Sequence, residues 1–206
     1  GILKYFDGMR EAGSRAARIV ANMLDFSRRT ESKLAPSEIN ELMDSVLELA
    51  DSDYDLLKKY DFRHVEIVRD YGTGLSQVPC TATEIEQVFL NLIKNAAEAM
   101  AGMKENKAPR VTITTRKEKN HALIQIEDNG PGMGEEIRRR VFEPFFTTKP
   151  VGVGTGLGLS VSYFIVTNNH DGIMSVESEP GKGARFIVRL PLERNGHSEP
   201  GVESTY

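Results

Sequence analysis

The 206-residue chain holds one cysteine, Cys80, so no disulfide can form within it. A lone thiol fits a reducing compartment and excludes the small scaffolds that depend on cystine bridges. No apolar run approaches the roughly 20 residues needed to cross a bilayer. No charged-then-apolar leader opens the sequence. Positive charge is not in excess. Lys and Arg number 26 against 30 Asp and Glu, a net charge of −4, so nucleic acid is not expected as a partner. What remains is ordinary for a globular protein, with 39% hydrophobic and 27% charged residues. The length suits one substantial domain, or one domain with an extension.

The charge is unevenly spread. Residues 1–33 carry a net +3, leaving −7 on the rest. The same segment has its own apolar period: Ile2, Tyr5, Met9, Ala12, Ala16, Ile19, Met23 and Phe26 follow alternating steps of three and four. That is a heptad seam, and it predicts a long coiled-coil-like helix over 1–34 that needs a partner helix to cover its stripe. Gly8 and Gly13 weaken it. Pro36 stops it, and Ser37 is placed to cap the next helix, whose apolar face is Leu42, Val46 and Leu49.

Beyond that point strands and helices mix. Residues 65–71 read as a strand. Residues 81–100 read as a helix, with Thr83 and Glu86 as a capping box. Residues 110–118 and 121–128 alternate apolar and polar around a tight turn, which predicts a hairpin. Residues 129–153 are loop-rich. A helix is expected over 158–169, then strands over 172–179 and 184–192 around the turn PGKG. There is no regular strand–helix–strand alternation. The expected fold is therefore α+β: a two-layer α/β sandwich over 35–192, a mixed sheet covered by helices on one face. The tail, 193–206, has too little apolar content to fold.

Four stretches carry chemistry. In GVGTGLGLS, glycines stand at 152, 154, 156 and 158, directly before a helix. Glycine sacrifices packing and entropy, so the run marks a place where bare backbone approaches something closely, with phosphate the first suspect. The spacing fits neither the P-loop nor the dinucleotide fingerprint. In NLIKNAAEA, Asn91, Asn95 and Glu98 form a polar stripe on an otherwise apolar helix. Such a stripe is paired with neighbouring backbone or faces a ligand, because an unsatisfied buried amide costs about 1–3 kcal/mol. One amide oxygen there also suits Mg²⁺, which takes one or two protein oxygens and fills its shell with water and phosphate. In EDNGPGM, Asp128 ends a strand where its carboxylate could accept from an exocyclic amino group, or simply begin an Asp-Asn-Gly turn. In FEPFFTTK, Phe142, Phe145 and Phe146 can anchor a loop that offers Thr147, Thr148 and Lys149 to a polyanion. Arg138, Arg139 and Arg140, just upstream, read as a solvated helix face.

Taken in order, these four stretches resemble the asparagine, first glycine, phenylalanine and second glycine boxes of the ATP-binding domain of sensor histidine kinases of two-component systems. PGKGARF (180–186) resembles the closing glycine turn, and residues 15–28 are similar to the second helix of the dimerisation and phosphoacceptor hairpin. The resemblance implies ATP and Mg²⁺ as cofactors. Asn95 would be the Mg²⁺ ligand, with Asn91 by the phosphates. Asp128 would read the adenine amino group. Gly130 and Gly132 would admit the base, with Leu157 and Phe186 lining its pocket. Gly154, Gly156 and Gly158 would cradle the phosphates, beside Thr155 and Lys149, under a lid running from Met133 to Thr155. Asn91 or Glu98 would orient the attacking imidazole.

The resemblance also implies a cytoplasmic site of action and two partners: a response-regulator receiver domain, and a phosphoacceptor helix from the same or a second subunit of a homodimer. Any membrane attachment would lie in other segments. The departures are Val153, where members often have a basic residue, Glu98, where some have Lys, and Ala184, where Thr is common. Neither His64, His121, His170 nor His197 stands in the family's acceptor context. The expectation is thus a fragment that binds Mg·ATP and does not phosphorylate itself, with those histidines at the surface or in structural roles. Two other readings stand beside it. A hydrolytic ATPase of the wider superfamily would need Glu where Asn91 stands. A nucleotide-binding interaction module would have no catalysis.

Overall fold

The computed structural model describes residues 34–193, apart from 54–55, 57–59, 61, 76, 102, 104–107 and 150–153. The heptad seam before residue 34 and the tail from 194 onward lie outside the described residues. So does His197.

Strand β1 (Ala35–Ser37) leads into helix α1 (Ile39–Ser52). A 3₁₀ turn (Phe62–His64) precedes β2 (Glu66–Tyr71) and β3 (Val78–Cys80). Then come the long helix α2 (Ala82–Met100) and the hairpin β4 (Arg110–Glu118) and β5 (His121–Asp128). The short helix α3 (Glu135–Arg140) follows. Helix α4 (Gly158–Phe164) runs on as a π-helical turn, Ile165–Asn169. Strands β6 (Ile173–Ser178) and β7 (Ala184–Pro191) close the domain.

Five strands form a mixed sheet in the order β2-β4-β5-β7-β6, parallel at β2–β4 and antiparallel elsewhere. The helices cover one face, the α+β sandwich expected. The reason is legible in β5, where Ala122, Ile124 and Ile126 point inward and alternate with the less buried His121, Leu123, Gln125 and Glu127. The inward row meets the apolar faces of α1 (Ile39, Met43, Val46) and α2 (Ile85, Phe89, Leu92, Ile93) in one core. Asp128 is the next inward position on β5 and is 4% exposed, so the row that builds the core ends on a carboxylate.

Two expected caps do not form. Ser37 does not start α1: it sits in β1, opposite Val78 of β3, and its hydroxyl donates to the Ala35 carbonyl. Strand pairing has taken the segment that a local cap would have used. Nor do Thr83 and Glu86 box the start of α2, which begins earlier, after Thr81, with no side-chain cap. The Thr81 N–H donates instead to His170 Nε2 at 3.0 Å. Accepting at Nε2 leaves the proton on Nδ1, which donates to the Ile165 carbonyl at 2.9 Å. Buried His170 thus ties α2 to the end of α4, a structural role. Among the other described histidines, His64 is exposed and His121 half-buried.

Phe89 is fully buried between α2 and the sheet. Phe89→Ala should lower unfolding free energy by about 3–5 kcal/mol in a denaturant titration. A loss under about 1 kcal/mol would mean that α2 is not seated on the sheet as described.

Candidate active site

A cavity of about 710 Å³ opens between α2, the end of β5, the start of β7, the stretch from Pro131 to Lys149 and the stretch from Gly154 into α4. Its floor is backbone packed on backbone. A side chain at Gly132 would come within 2.1 Å of the Glu179 carbonyl oxygen, and one at Gly183 within 2.0 Å of that of Asp128. Both glycines have positive φ, 67° and 84°. The first glycine loop and the closing turn can therefore cross without a side chain between them. The Gly181 N–H donates to the Pro131 carbonyl, and the Met133 N–H to Ser178 Oγ. Asp128 sits over this floor, with its Oδ1 accepting from the Gly130 N–H at 2.8 Å.

The opposite wall is the polar stripe of α2. Asn91, Lys94, Asn95 and Glu98 all line the cavity. Their spacing of three, one and three puts them on one helical face. Asn91 donates from Nδ2 to Ser162 Oγ of α4 at 2.9 Å, and Ser162 is 1% exposed. Asn91 Oδ1 lies so close to Gly158 that a Cβ there would be 2.4 Å away. Asn91 therefore pins the first turn of α4 to α2. Asn95 behaves differently: its Nδ2 is buried with no protein partner, the only such side-chain atom found among the described residues. An amide left in this state fits a ligand arriving from the cavity.

The glycine run meets protein as well as open space. At Gly156, φ is 66°, and a Cβ would sit 2.4 Å from the Phe145 carbonyl carbon. Phe145 itself has φ 65° and donates its N–H to the Gly156 carbonyl at 2.9 Å. At Gly154 a Cβ would meet Thr147 Oγ1 at 2.6 Å. Two of the three phenylalanines behave as anchors. Phe142 packs on Tyr163, with ring centroids 5.0 Å apart, and near Phe186. Phe146 lies under the Arg140 guanidinium at 4.4 Å. Phe145 is a correction to that expectation: its side chain is 55% exposed, because its backbone is what the site uses. Arg139 and Arg140 pair with Glu135 and Glu143 at the surface, as a solvated face does.

Lys149 reaches across the cavity to Glu98 Oε2. Burial pushes its ammonium below the usual lysine range. Glu98 Oε1 accepts from the Tyr60 hydroxyl at 2.5 Å.

Of the residues expected at the site, Asn91, Asn95, Glu98, Asp128, Gly132, Lys149, Gly154, Thr155, Gly156, Gly158 and Phe186 line this one cavity. Gly130 and Leu157 do not. Gly130 stands beneath Asp128, with the position of its missing Cβ 2.7 Å from the carboxylate, and Leu157 is buried. Lys94 and Ser162 also line the cavity and were not expected there, while Met133, expected as the start of the lid, lines it too. Lys94 could have been found from its place in the α2 stripe. Ser162 and Tyr60 could not, because they meet α2 through tertiary packing.

This cavity lies inside a recognisable family. Residues 80–194 match the model described as histidine kinase-, DNA gyrase B- and HSP90-like ATPase, and the chain belongs to that family. Its relatives within it are sensor histidine kinases. Sensor kinase CckA of Brucella abortus is 34% identical over 89% of this chain and 20% of its own length. The catalytic domain of histidine kinase ThkA superposes with a TM-score of 0.65 at 29% identity, covering 78% of this chain and 96% of that one. ThkA in complex with response regulator protein TrrA gives 0.70 at 25% identity, over 92% of this chain and 51% of that one. The chain spans a fifth to two fifths of the length of three curated relatives it matches. Its described part is thus an ATP-using catalytic domain of the histidine-kinase kind.

Gly156→Ala should place a side chain against the Phe145 backbone in a left-handed conformation that alanine adopts at a cost of about 1–2 kcal/mol. Calorimetric ATP affinity should fall by at least about tenfold, with a modest drop in thermal midpoint. Unchanged affinity would mean that the Phe145–Gly156 contact does not shape the site.

Proposed function

We propose that this chain is the catalytic part of a sensor histidine kinase. It binds Mg·ATP in the α2 cavity and transfers the γ-phosphoryl group to a histidine on a phosphoacceptor helix, for relay to an aspartate of a response-regulator receiver domain. The observation that carries the reading is the convergence of the α2 stripe, Asp128, Lys149 and the glycine run around one cavity. The complex of ThkA with TrrA supports a receiver domain as partner. The heptad stripe from Ile2 to Phe26 supports pairing with an acceptor helix of the same or a second subunit. A cytoplasmic site of action agrees with the single cysteine. No helix among the described residues is long and apolar enough to cross a membrane.

The chain's own residues divide the work. Asp128 accepts from the adenine amino group, and the hydrogen bond from Gly130 keeps its carboxylate turned the right way. Phe186 and Met133 offer apolar surface to the base. Lys149, Thr147 and Thr148 meet the phosphates, where Asn91 and Gly154 also stand. Asn95 would hold Mg²⁺ through its amide oxygen, leaving the unpartnered Nδ2 to donate to a phosphate oxygen; Mg²⁺, when bound, neutralises charge on the triphosphate. Asn91 and Glu98 are the residues assigned to orient the attacking imidazole. Phosphoryl transfer needs little more than positioning and charge neutralisation.

Hydrolysis is disfavoured by one observation. The place of a hydrolytic carboxylate, four residues before Asn95, is held by Asn91, which is pinned to Ser162 and takes up no proton.

The direct test supplies a separate hairpin fragment bearing an acceptor histidine and matching heptads. With radiolabelled ATP it should acquire acid-labile label slowly, because no covalent tether raises its local concentration. Asn95→Ala should abolish both that transfer and Mg²⁺-dependent ATP binding while the circular-dichroism spectrum holds. Acid-labile label on the chain alone, mapped to one of its four histidines, would overturn the placing of the acceptor on a separate helix and the structural reading of those histidines.

Asp128→Ala should weaken ATP and bring its affinity close to that of GTP, since the polar reader of the base is gone. An unchanged ATP:GTP ratio in competition binding would remove Asp128 from the site.

A further inference from the structure

The site helix is tied down from a segment that none of the four sequence motifs contains. Two residues after α1 reach the cavity face of α2. Asp53 Oδ2 accepts from Lys94 Nζ at 2.7 Å, and Tyr60 donates its hydroxyl proton to Glu98 Oε1. The second Glu98 oxygen takes the Lys149 ammonium. Glu98 therefore commits one oxygen to the body of the domain and the other to the cation of the opposite wall. The pair is poorly solvated: the Lys149 and Glu98 side chains are 35% and 20% exposed. Charges drawn out of water hold together because losing one partner strands the other. Tyr60 packs against the hydrophobic core, so its hydroxyl is a fixed point.

We propose that Tyr60 is a positioning residue of the nucleotide site, holding Glu98 as the counter-ion that keeps Lys149 until a nucleotide phosphate takes its place. The inference rests on the reading of the cavity as an ATP site. A triphosphate carries more negative charge than one carboxylate and offers several oxygens to the three ammonium protons. It therefore displaces Glu98 from Lys149, and the broken ion pair is subtracted from the net affinity. Displacement also frees Glu98 Oε2 to face an incoming imidazole while Oε1 stays on Tyr60. A site built this way narrows the preference for ATP over ligands without phosphates, because only a phosphate breaks the Glu98–Lys149 pair. It also leaves both lysines that line the cavity among the described residues paired with carboxylates.

Calorimetry on the 206-residue chain with Mg·ATP and with adenosine tests it. Glu98→Gln keeps an acceptor for Tyr60 and removes the charge, so ATP affinity should rise about fivefold. Tyr60→Phe changes no charge and loosens Glu98, so ATP affinity should rise in the same direction by about two- to threefold. Tyr60→Phe should have no effect on ATP in a Glu98→Gln or a Lys149→Met background, because the three residues act as one unit. Three results would overturn the inference: weaker or unchanged ATP binding in Tyr60→Phe, persistence of its effect without Glu98 or Lys149, or parallel shifts in adenosine and ATP, which mark a purely structural role. A parent chain that binds no ATP would overturn the reading of the site itself, and this inference with it.

Discussion

The seating of α2 on the sheet is the constraint from which the rest follows. Ile85, Val88, Phe89, Leu92 and Ile93 bury one side of the helix almost completely. That burial sets the helix rotation, and the rotation turns Asn91, Lys94, Asn95 and Glu98 toward the cavity. The polar stripe costs solvation wherever it is not satisfied. The structure offsets most of it with Ser162, Asp53, Tyr60 and Lys149. Asn95 is the exception, and an exception of this kind is where a ligand has something to gain.

The other walls depend on backbone. At Gly132, Gly156 and Gly183 the chain runs within contact distance of another stretch of chain, and at Gly158 within contact distance of the Asn91 amide. Three of these have positive φ as well. The glycines therefore serve the architecture of the site before any nucleotide arrives. Bringing the first glycine loop against the closing turn holds Asp128 still, and bringing Phe145 against Gly156 sets where Lys149 begins its reach. A cavity built from such crossings has few side chains that could rearrange to fill it.

Electrostatics complete the arrangement. Both lysines facing the cavity are held by carboxylates, Lys94 by Asp53 and Lys149 by Glu98. Along α2 the site is thus close to neutral. On the proposed reading, a polyanion competes for cations that are already paired.

Much of this was written in local pattern. Period-two alternation predicted β4 and β5 to the residue, and the mixed order of elements predicted helices on one face of a mixed sheet. The four motifs, read in order, placed Asn91, Asn95, Asp128, Lys149 and Gly156 at one site, because each element that carries them is itself locally determined. Tertiary structure alone decided the rest. Ser37 became a strand residue because β3 lay beside it, and the start of α2 took its cap from His170, 89 positions away. Phe145 turned outward because its backbone was needed at Gly156. Tyr60 and Ser162 joined the site through side-chain contacts 38 and 71 positions long in sequence. Periodicity and composition report on neighbours within a turn or a strand. Which distant polar groups satisfy one another is settled when the elements pack.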